Sequence, residues 1–131
     1  MEASIHKVLC IEDNQDTCVL VSILLDAEGF GVILAHTQAE GFALLEREQI
    51  SLIIIDVKLP DGSGIDFIRR IREAGVHTPV LIHSGVAFKK VIDEAREAGA
   101  DDYLVKPLGW EKLTATVSRL CAKAGREMAH Y

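Results

Sequence analysis

The amino-acid sequence predicts an α/β fold, in which a parallel sheet of five strands lies between two layers of helices. Two observations predict it. Short β-branched runs alternate with longer segments of helical period along the chain, which is typical of repeated strand–helix units. The strand segments are also almost continuously apolar, as expected when helices cover both faces of a sheet. Because crossovers between parallel strands are right-handed, such units form a three-layer sandwich.

Each predicted strand is a short apolar run. The third, SLIIID, is the clearest central strand because its apolar residues follow one another without a break. Pro79 introduces the fourth strand, at a first position where a sheet tolerates proline. The five predicted strands are KVLCI at 7–11, GVILA at 31–35, SLIIID at 51–56, PVLIHS at 79–84 and DYLVK at 102–106.

The helical segments between the strands have apolar residues on one side. Two sets of apolar residues recur at helical spacing and predict helices with one buried face: Phe88, Val91, Ile92 and Ala95, and then Leu113, Val117 and Leu120. Glycines at 29, 75 and 99 follow helical stretches, where a left-handed residue would end them.

The first helix differs, because TCVLVSILL at 17–25 is apolar almost all the way round. Leu20, Val21 and Leu24 are expected in the core. That leaves Val19 and Ile23, one turn apart, pointing outward. They are either isolated exposed apolar side chains, which are common on folded proteins, or a docking patch.

Composition restricts the class of protein. A chain of 131 residues fits one domain, and we expect a single domain over 1–131. The net charge of −6 argues against binding to nucleic acid or to an anionic membrane, both of which need clustered lysine and arginine. Three cysteines without a C-x-x-C favour a reducing compartment, and the N-terminus MEASIHK has no long apolar run, so the expected location is the cytoplasm.

The end of the sequence, AKAGREMAHY, leaves no room for a DNA-binding module within these 131 residues. Both a stand-alone protein and a piece of a longer one stay open.

Polar residues stand at the carboxyl ends of four predicted strands. They are Glu12 and Asp13 after the first strand, Asp56 after the third, Ser84 after the fourth and Lys106 after the fifth. Ligands of parallel sheets bind at this edge. A lysine at the end of an apolar strand needs an anionic partner, and three carboxylates in one crevice repel one another unless a cation compensates them. Because the groups available to bind that cation all offer oxygen atoms, magnesium is expected, with manganese as a substitute, rather than zinc.

The motifs around these residues resemble those of the receiver domains of bacterial two-component response regulators, which include chemotaxis regulators. The matching pieces are the acidic pair in IEDN, the aspartate of IIIDVKLPDGSG, the hydroxyl in LIHSG and the lysine–proline pair of GADDYLVKP. The resemblance covers residues 6 to about 124, which we take as the core of the domain. It implies a flavodoxin-like sheet with strand order 2-1-3-4-5.

Carried over to this sequence, the resemblance makes Asp56 the phosphoacceptor. It implies that Mg²⁺ is held by Glu12, Asp13, Asp56 and the backbone carbonyl of Lys58, and that Ser84 and Lys106 contact the phosphoryl oxygens. It further implies a cis peptide bond before Pro107 and a switch residue at Tyr103 that turns inward when Ser84 moves.

The resemblance also implies the partners. The phosphoryl donor would be a sensor histidine kinase, a histidine phosphotransfer protein or a small acyl phosphate, and the kinase would dock on the first helix at Val19 and Ile23. The domain would catalyse its own phosphorylation and dephosphorylation, and would control a downstream protein through the surface of the fourth helix and fifth strand. A homodimer through the charged face of the fourth and fifth units stays open.

Two other functions fit parts of the sequence. A degenerate receiver would serve as a docking module without phosphoryl turnover, although the complete set of strand-end residues argues against it. A magnesium-dependent phosphohydrolase of the haloacid dehalogenase type also uses an aspartate after a strand, but that family expects a second aspartate where this chain has Lys58. A flavin-binding module is disfavoured because IEDNQD would repel a phosphate.

Overall fold

The computed structural model describes residues 6–107 and 110–128, with side chains up to residue 123. The elements in chain order are β1 (Lys7–Ile11), α1 (Gln15–Ala27), β2 (Gly31–Ala35), α2 (Gln38–Arg47), β3 (Leu52–Ile55), β4 (Lys58–Leu59), β5 (Gly62–Ser63), α3 (Gly64–Glu73), β6 (Val80–Ser84), α4 (Lys89–Ala98), β7 (Asp102–Val105) and α5 (Trp110–Met128). In this described part of the chain, no helix is both long enough and apolar enough to span a bilayer.

The main sheet has five parallel strands in the order β2-β1-β3-β6-β7. Apart from the small hairpin of β4 and β5, this is the order 2-1-3-4-5, so the predicted fold class is confirmed. All five predicted strands lie within one residue of their expected bounds at each end. The segment PDGSG at 60–64 follows β4, supplies the turn and the second strand of the hairpin, in which Lys58 pairs with Ser63, and ends at the first residue of α3.

The sheet separates two apolar cores. Along β1, Leu9 and Ile11 point into a core covered by α2, α3 and α4, whereas Val8 and Cys10 point into a core covered by α1 and α5. Successive side chains of a strand point to opposite faces, which explains why these strands are apolar throughout. The three-layer arrangement follows from this two-sided burial.

Two predicted core residues lie at the surface instead. Leu20 is 53% exposed because Cys18, Val21 and Leu25 form the buried stripe of α1. Leu20 directly precedes Val21 and therefore points to another side of the helix. Phe88 is 73% exposed because it is the N-cap of α4, with an extended backbone, and so precedes the helix on whose buried face we expected it.

Arg72, in α3, joins the starts of β6 and β7. Its guanidinium donates to the carbonyl oxygens of Val76, Thr78 and Gly99 and pairs with Asp101 at 3.2 Å. The same Asp101 carboxylate accepts a hydrogen bond from the amide of Val80, the first residue of β6. The amino ends of the two strands are therefore held by one cation.

Candidate functional site

The candidate site is centred on the ammonium group of Lys106, which follows β7. Its Nζ donates to Asp56 Oδ2 at 2.9 Å and also to Glu12 Oε1. The Glu12 side chain is only 4% exposed and that of Asp56 only 12%. Charges with so little access to water need a close counter-charge, and the lysine supplies one to both. The structure thus brings together three of the predicted site residues.

The register of the strands explains why Glu12, Asp56 and Lys106 lie close together. Ile11 of β1 pairs with Ile55 of β3, so Glu12 and Asp56 are the next residues along two neighbouring strands. Lys106 directly follows the pairing of Val105 with Ser84, and its amide donates to the Ser84 carbonyl at 2.8 Å. Parallel strands therefore place all these residues at one edge of the sheet.

The two carboxylates have different protonation behaviour. Burial raises the pKa of Glu12, and the nearby Asp56 charge adds to this rise, so that the hydrogen bond from Lys106 does not bring the pKa back to its ordinary value. Burial also acts to raise the pKa of Asp56, but the hydrogen bond from Lys106 and the effect of the neighbouring Ser84 hydroxyl outweigh it and leave the pKa lowered. Asp56 is therefore the stronger acid of the pair, and its carboxylate stays ionised.

Ser84 and Tyr103 meet at the backbone of Val86, just after β6. Ser84 is fully buried, and its Oγ accepts a hydrogen bond from the Val86 amide at 3.2 Å. The Tyr103 side chain lies inward, at 8% exposure for the residue, and its hydroxyl donates to the Val86 carbonyl at 2.6 Å. Both residues predicted to form the switch therefore hold the same loop residue. The Lys106–Pro107 peptide bond is cis.

The remaining predicted metal ligands are placed differently. Asp13 is exposed, and the amide of Lys58 donates to Asp56 Oδ1 at 3.3 Å. Across residues 6–107 and 110–123, no three carboxylate, imidazole or thiol side chains are grouped closely enough to hold a metal ion. The donor chemistry nevertheless fits Mg²⁺, because Glu12 and Asp56 offer oxygens at one point and magnesium needs only one or two carboxylates beside its waters.

Two residues that the sequence did not single out contact the backbone of Glu12. The Glu12 carbonyl oxygen accepts from His36 Nδ1, at 3.1 Å, and from Cys18 Sγ, at 3.3 Å. A signal for His36 was present, because it directly follows β2 and so stands at the same sheet edge as the other strand-end residues. No sequence pattern pointed to Cys18.

Asp61 is a second addition, in the hairpin that follows Asp56. Its two carboxylate oxygens accept from the amides of Gln38, at 2.9 Å, and Ala39, at 3.1 Å, in the first turn of α2. These backbone hydrogen bonds lower the pKa of Asp61, the bond from Gln38 most strongly. The hairpin is thereby joined to α2.

The predicted docking residues lie on the outer side of α1. Val19 is 54% exposed and Ile23 is 61% exposed, and the neighbouring Leu20 extends the same apolar area. This surface is adjacent to the site, since Leu20 lines a groove between α1 and α5 together with Lys106 and Trp110.

Known proteins share both the sequence and the fold. The family model of the response regulator receiver domain matches residues 8–118. The cell cycle transcriptional regulator CtrA of Caulobacter vibrioides is 35% identical over 124 residues, which are 95% of this chain and 52% of CtrA. The transcriptional regulatory protein CpxR of Escherichia coli K12 is 33% identical over 121 residues, which are 91% of this chain and 50% of CpxR. The chain thus spans about half the length of these relatives.

Solved structures agree with this result. The signal receiver domain of a LuxO repressor protein from Vibrio parahaemolyticus superposes with a TM-score of 0.92 at 27% identity, covering 96% of this chain and 97% of that one. A CheY-like receiver domain protein from Methanospirillum hungatei has a TM-score of 0.89 at 26% identity, with coverage of 95% and 99%. Together with the match over residues 8–118, these likenesses show that the chain belongs to the response regulator receiver domain family of two-component systems.

Proposed function

We propose that this domain is a phosphorylation-dependent signalling switch in which Asp56 accepts the phosphoryl group. One observation carries the proposal: the Lys106 ammonium group binds the Asp56 carboxylate at 2.9 Å, at the edge of the sheet and beside Glu12. A cation fixed next to a nucleophile stabilises the negative charge of an incoming phosphoryl group. The pKa of Asp56, lowered by Lys106 and Ser84 against the effect of burial, supports an ionised nucleophile.

In the proposed reaction, an Asp56 carboxylate oxygen forms a bond to phosphorus while the bond from phosphorus to the donor breaks. The donor keeps that electron pair, on the imidazole nitrogen of a phosphohistidine or on the oxygen of an acyl phosphate. Lys106 neutralises charge on the transferred group. Ser84 contributes a hydrogen bond to a phosphoryl oxygen, since its Oγ accepts from the Val86 amide and its own proton is left to donate. Hydrolysis of the acyl phosphate by water resets the domain.

Mg²⁺ would be held by the carboxylates of Glu12, Asp13 and Asp56 and by the carbonyl of Lys58, with Mn²⁺ as a substitute. When bound, the metal supplies charge neutralisation on the phosphoryl oxygens. Because Glu12 and Asp56 already share Lys106, the protein brings to this site one positive charge against two negative ones. This remaining negative charge favours a cation.

The output would pass through Val86 to α4 and β7. A phosphoryl group on Asp56 offers the Ser84 hydroxyl a new acceptor, which changes the environment of the loop that Ser84 and Tyr103 both hold. A contact made in only one of two packings is sufficient to shift their populations. A downstream protein that binds this surface would respond to the shift.

The phosphoryl donor would be a histidine kinase or a histidine phosphotransfer protein that docks on α1. Val19, Leu20 and Ile23 form an exposed apolar patch there, which we call the α1 patch. Its position next to the groove that reaches Lys106 would bring a docked phosphohistidine near Asp56.

The direct experiment is incubation with acetyl phosphate and Mg²⁺, followed by intact mass spectrometry. The wild type should gain one phosphoryl group, and Asp56→Asn should gain none. Asp66→Asn, which removes an exposed carboxylate of α3, is the matched control and should be labelled like the wild type. Equal labelling of Asp56→Asn would overturn the assignment. A wild type that is not labelled would instead indicate a docking module without phosphoryl turnover. Catalytic release of phosphate from unrelated phosphomonoesters would instead indicate a hydrolase.

A further inference from the structure

Glu12 is held at every polar atom that it has. Its amide donates to the Ala35 carbonyl at 2.9 Å, its Oε1 accepts from Lys106, and its Oε2 accepts from the Asn14 amide at 3.3 Å. Its carbonyl oxygen accepts from two side chains, those of Cys18 and His36. Helix α1 supplies Cys18 and the β2–α2 loop supplies His36, so two separate parts of the fold meet on one carbonyl.

The geometry fixes the roles of these two side chains. A carbonyl oxygen can only accept, so His36 carries a proton on Nδ1. Cys18 Sγ and His36 Nδ1 are 4.0 Å apart, and both donate to the same oxygen, so the imidazole is not placed to take the thiol proton. Cys18 is 1% exposed, and the His36 amide donates to Glu40 Oε2 at 3.1 Å, which orients the loop. The pair is therefore built to bind a carbonyl rather than to form a nucleophile.

We propose that Cys18 and His36 are positioning residues, which fix the peptide between Glu12 and Asp13 and thereby set the affinity of the site for a divalent cation. The Glu12 carbonyl and the Asp13 amide belong to one planar unit, so holding the carbonyl orients the chain that carries the Asp13 carboxylate. The cation part of this inference depends on the proposed function. The positioning part concerns the protein alone.

Magnesium titration of the purified protein, followed by calorimetry, tests the cation part. The Cys18→Ala, His36→Ala double variant should bind Mg²⁺ about tenfold more weakly than the wild type, as is usual when residues that orient metal ligands are removed. Cys18→Ser with His36→Asn, which keeps a donor at each position, should recover most of that loss. Cys121→Ala is the matched control, because Cys121 is also a buried free cysteine, and it should bind Mg²⁺ like the wild type.

Amide hydrogen exchange in EDTA tests the positioning part without any metal. Exchange at residues 12–14 should be at least about fivefold faster in the double alanine variant, since a single lost hydrogen bond already has about that effect and this variant loses two, and it should be unchanged in Cys121→Ala. The single alanine variants are measured as well, so that the comparison survives if the double variant does not fold. Exchange rates equal to those of the wild type would overturn the positioning, whether or not Mg²⁺ binds. Faster exchange with unchanged affinity for Mg²⁺ would overturn the link to the cation, and a wild type that binds no Mg²⁺ would remove that link together with the proposed metal.

Discussion

The carboxylates of Glu12 and Asp56 share the ammonium group of Lys106, and yet their pKa values move in opposite directions. Burial dominates at Glu12 and raises its pKa, whereas at Asp56 the hydrogen bond from Lys106 and the neighbouring Ser84 hydroxyl overcome burial and lower it. Two neighbouring carboxyl groups with separated pKa values are typical of sites in which one of them must stay ionised to react. In the function proposed above, that residue is Asp56.

The first prediction concerns pH. Because the pKa of Glu12 in the folded protein is raised above its ordinary value of 4.5, its contribution to stability is complete below pH 4.5 and is lost as the pH rises through the raised pKa. Glutamine has no ionisable carboxyl group, so Glu12→Gln does not lose stability in this way as the pH rises. The free energy of unfolding of Glu12→Gln minus that of the wild type should therefore be more positive at pH 7 than at pH 4, as measured with urea in EDTA.

His83, whose pKa is lowered to about 4 mainly by burial, is present in both proteins, so its titration largely cancels in this difference. Glu97→Gln, at an exposed position of α4, is the control and should show the pH dependence of the wild type. A difference between Glu12→Gln and the wild type that stays constant or shrinks from pH 4 to pH 7 would contradict the assignment.

The second prediction concerns the shared lysine. Lys106→Met leaves Glu12 and Asp56 without their common charged donor, so it should lower the free energy of unfolding by roughly 1–3 kcal/mol in EDTA. It should also slow labelling by acetyl phosphate by about 10²-fold, the usual effect of removing a donor to the reacting group. Lys90→Met, at an exposed position of α4, should change stability by less than about 0.5 kcal/mol. Stability equal to that of the wild type would show that the two ion pairs contribute nothing net.

The third prediction concerns the close approach of α3 to Asp56. A Cβ atom on Gly64 would lie 2.1 Å from the Asp56 carbonyl oxygen, a backbone atom that no side-chain rotation can move. Gly64→Ala should therefore destabilise the fold by about 1–3 kcal/mol through overpacking and should slow phosphorylation of Asp56. Gly85→Ala is the control, because a Cβ there meets nothing within 4 Å. Equal stability of the two variants in urea denaturation would show that the contact relaxes freely.

The fourth prediction separates phosphorylation from response. Ser84→Ala should still be phosphorylated on Asp56, although more slowly, but should lose the coupling to Val86 because its hydroxyl is absent. Amide exchange over residues 86–104, compared with and without a phosphoryl mimic, should change in the wild type and not in Ser84→Ala. Ser118→Ala, an exposed position of α5, should respond like the wild type. A full response in Ser84→Ala would remove Ser84 from the switch.

The fifth prediction concerns the α1 patch. The double variant Val19→Ser, Ile23→Ser should be labelled normally by acetyl phosphate, since neither side chain touches the Lys106 contacts. Phosphoryl transfer from the cognate kinase should slow, because the binding free energy of the kinase should fall by about 1–3 kcal/mol, as expected for an apolar hot spot. Phe88→Ser removes an apolar side chain that is even more exposed, from another surface, and should leave transfer unchanged. Unchanged transfer in the double variant would mean that the patch is ordinary exposed apolar surface.

The strands and the residues at their ends could be predicted from sequence because a buried parallel strand is apolar throughout and its first polar residue marks its end. Asp56 after SLIIID is the clearest case. Helical phase was harder to predict. In α1 nearly every position is apolar, so periodicity does not distinguish Leu20, which is exposed, from Val21, which is buried. Phe88 was misplaced because its spacing matched the helix that begins one residue later.

The contacts around Glu12 could not be predicted for a different reason. They depend on which strands are neighbours, and the adjacency of β2 to β1 brings His36 to a carbonyl 24 residues earlier in the chain. The position of His36 directly after β2 places it at this edge of the sheet, but nothing in the local sequence indicates that it contacts the Glu12 carbonyl. The capping of α2 by Asp61 has the same origin, because the acceptor and its donors lie 23 and 22 residues apart.

Arg72 has a consequence at the far edge of the sheet. The two strands that lead to Ser84 and Lys106, β6 and β7, both begin beside the ion pair of Arg72 with Asp101, roughly 13–17 Å away at about 3.3 Å per residue. The positions of the Ser84 hydroxyl and the Lys106 ammonium group relative to each other are thus set by the number of residues that separate each of them from this ion pair. In genetic terms, alleles that change position 72 should impair the signalling proposed for this domain, although every residue of the candidate site is intact.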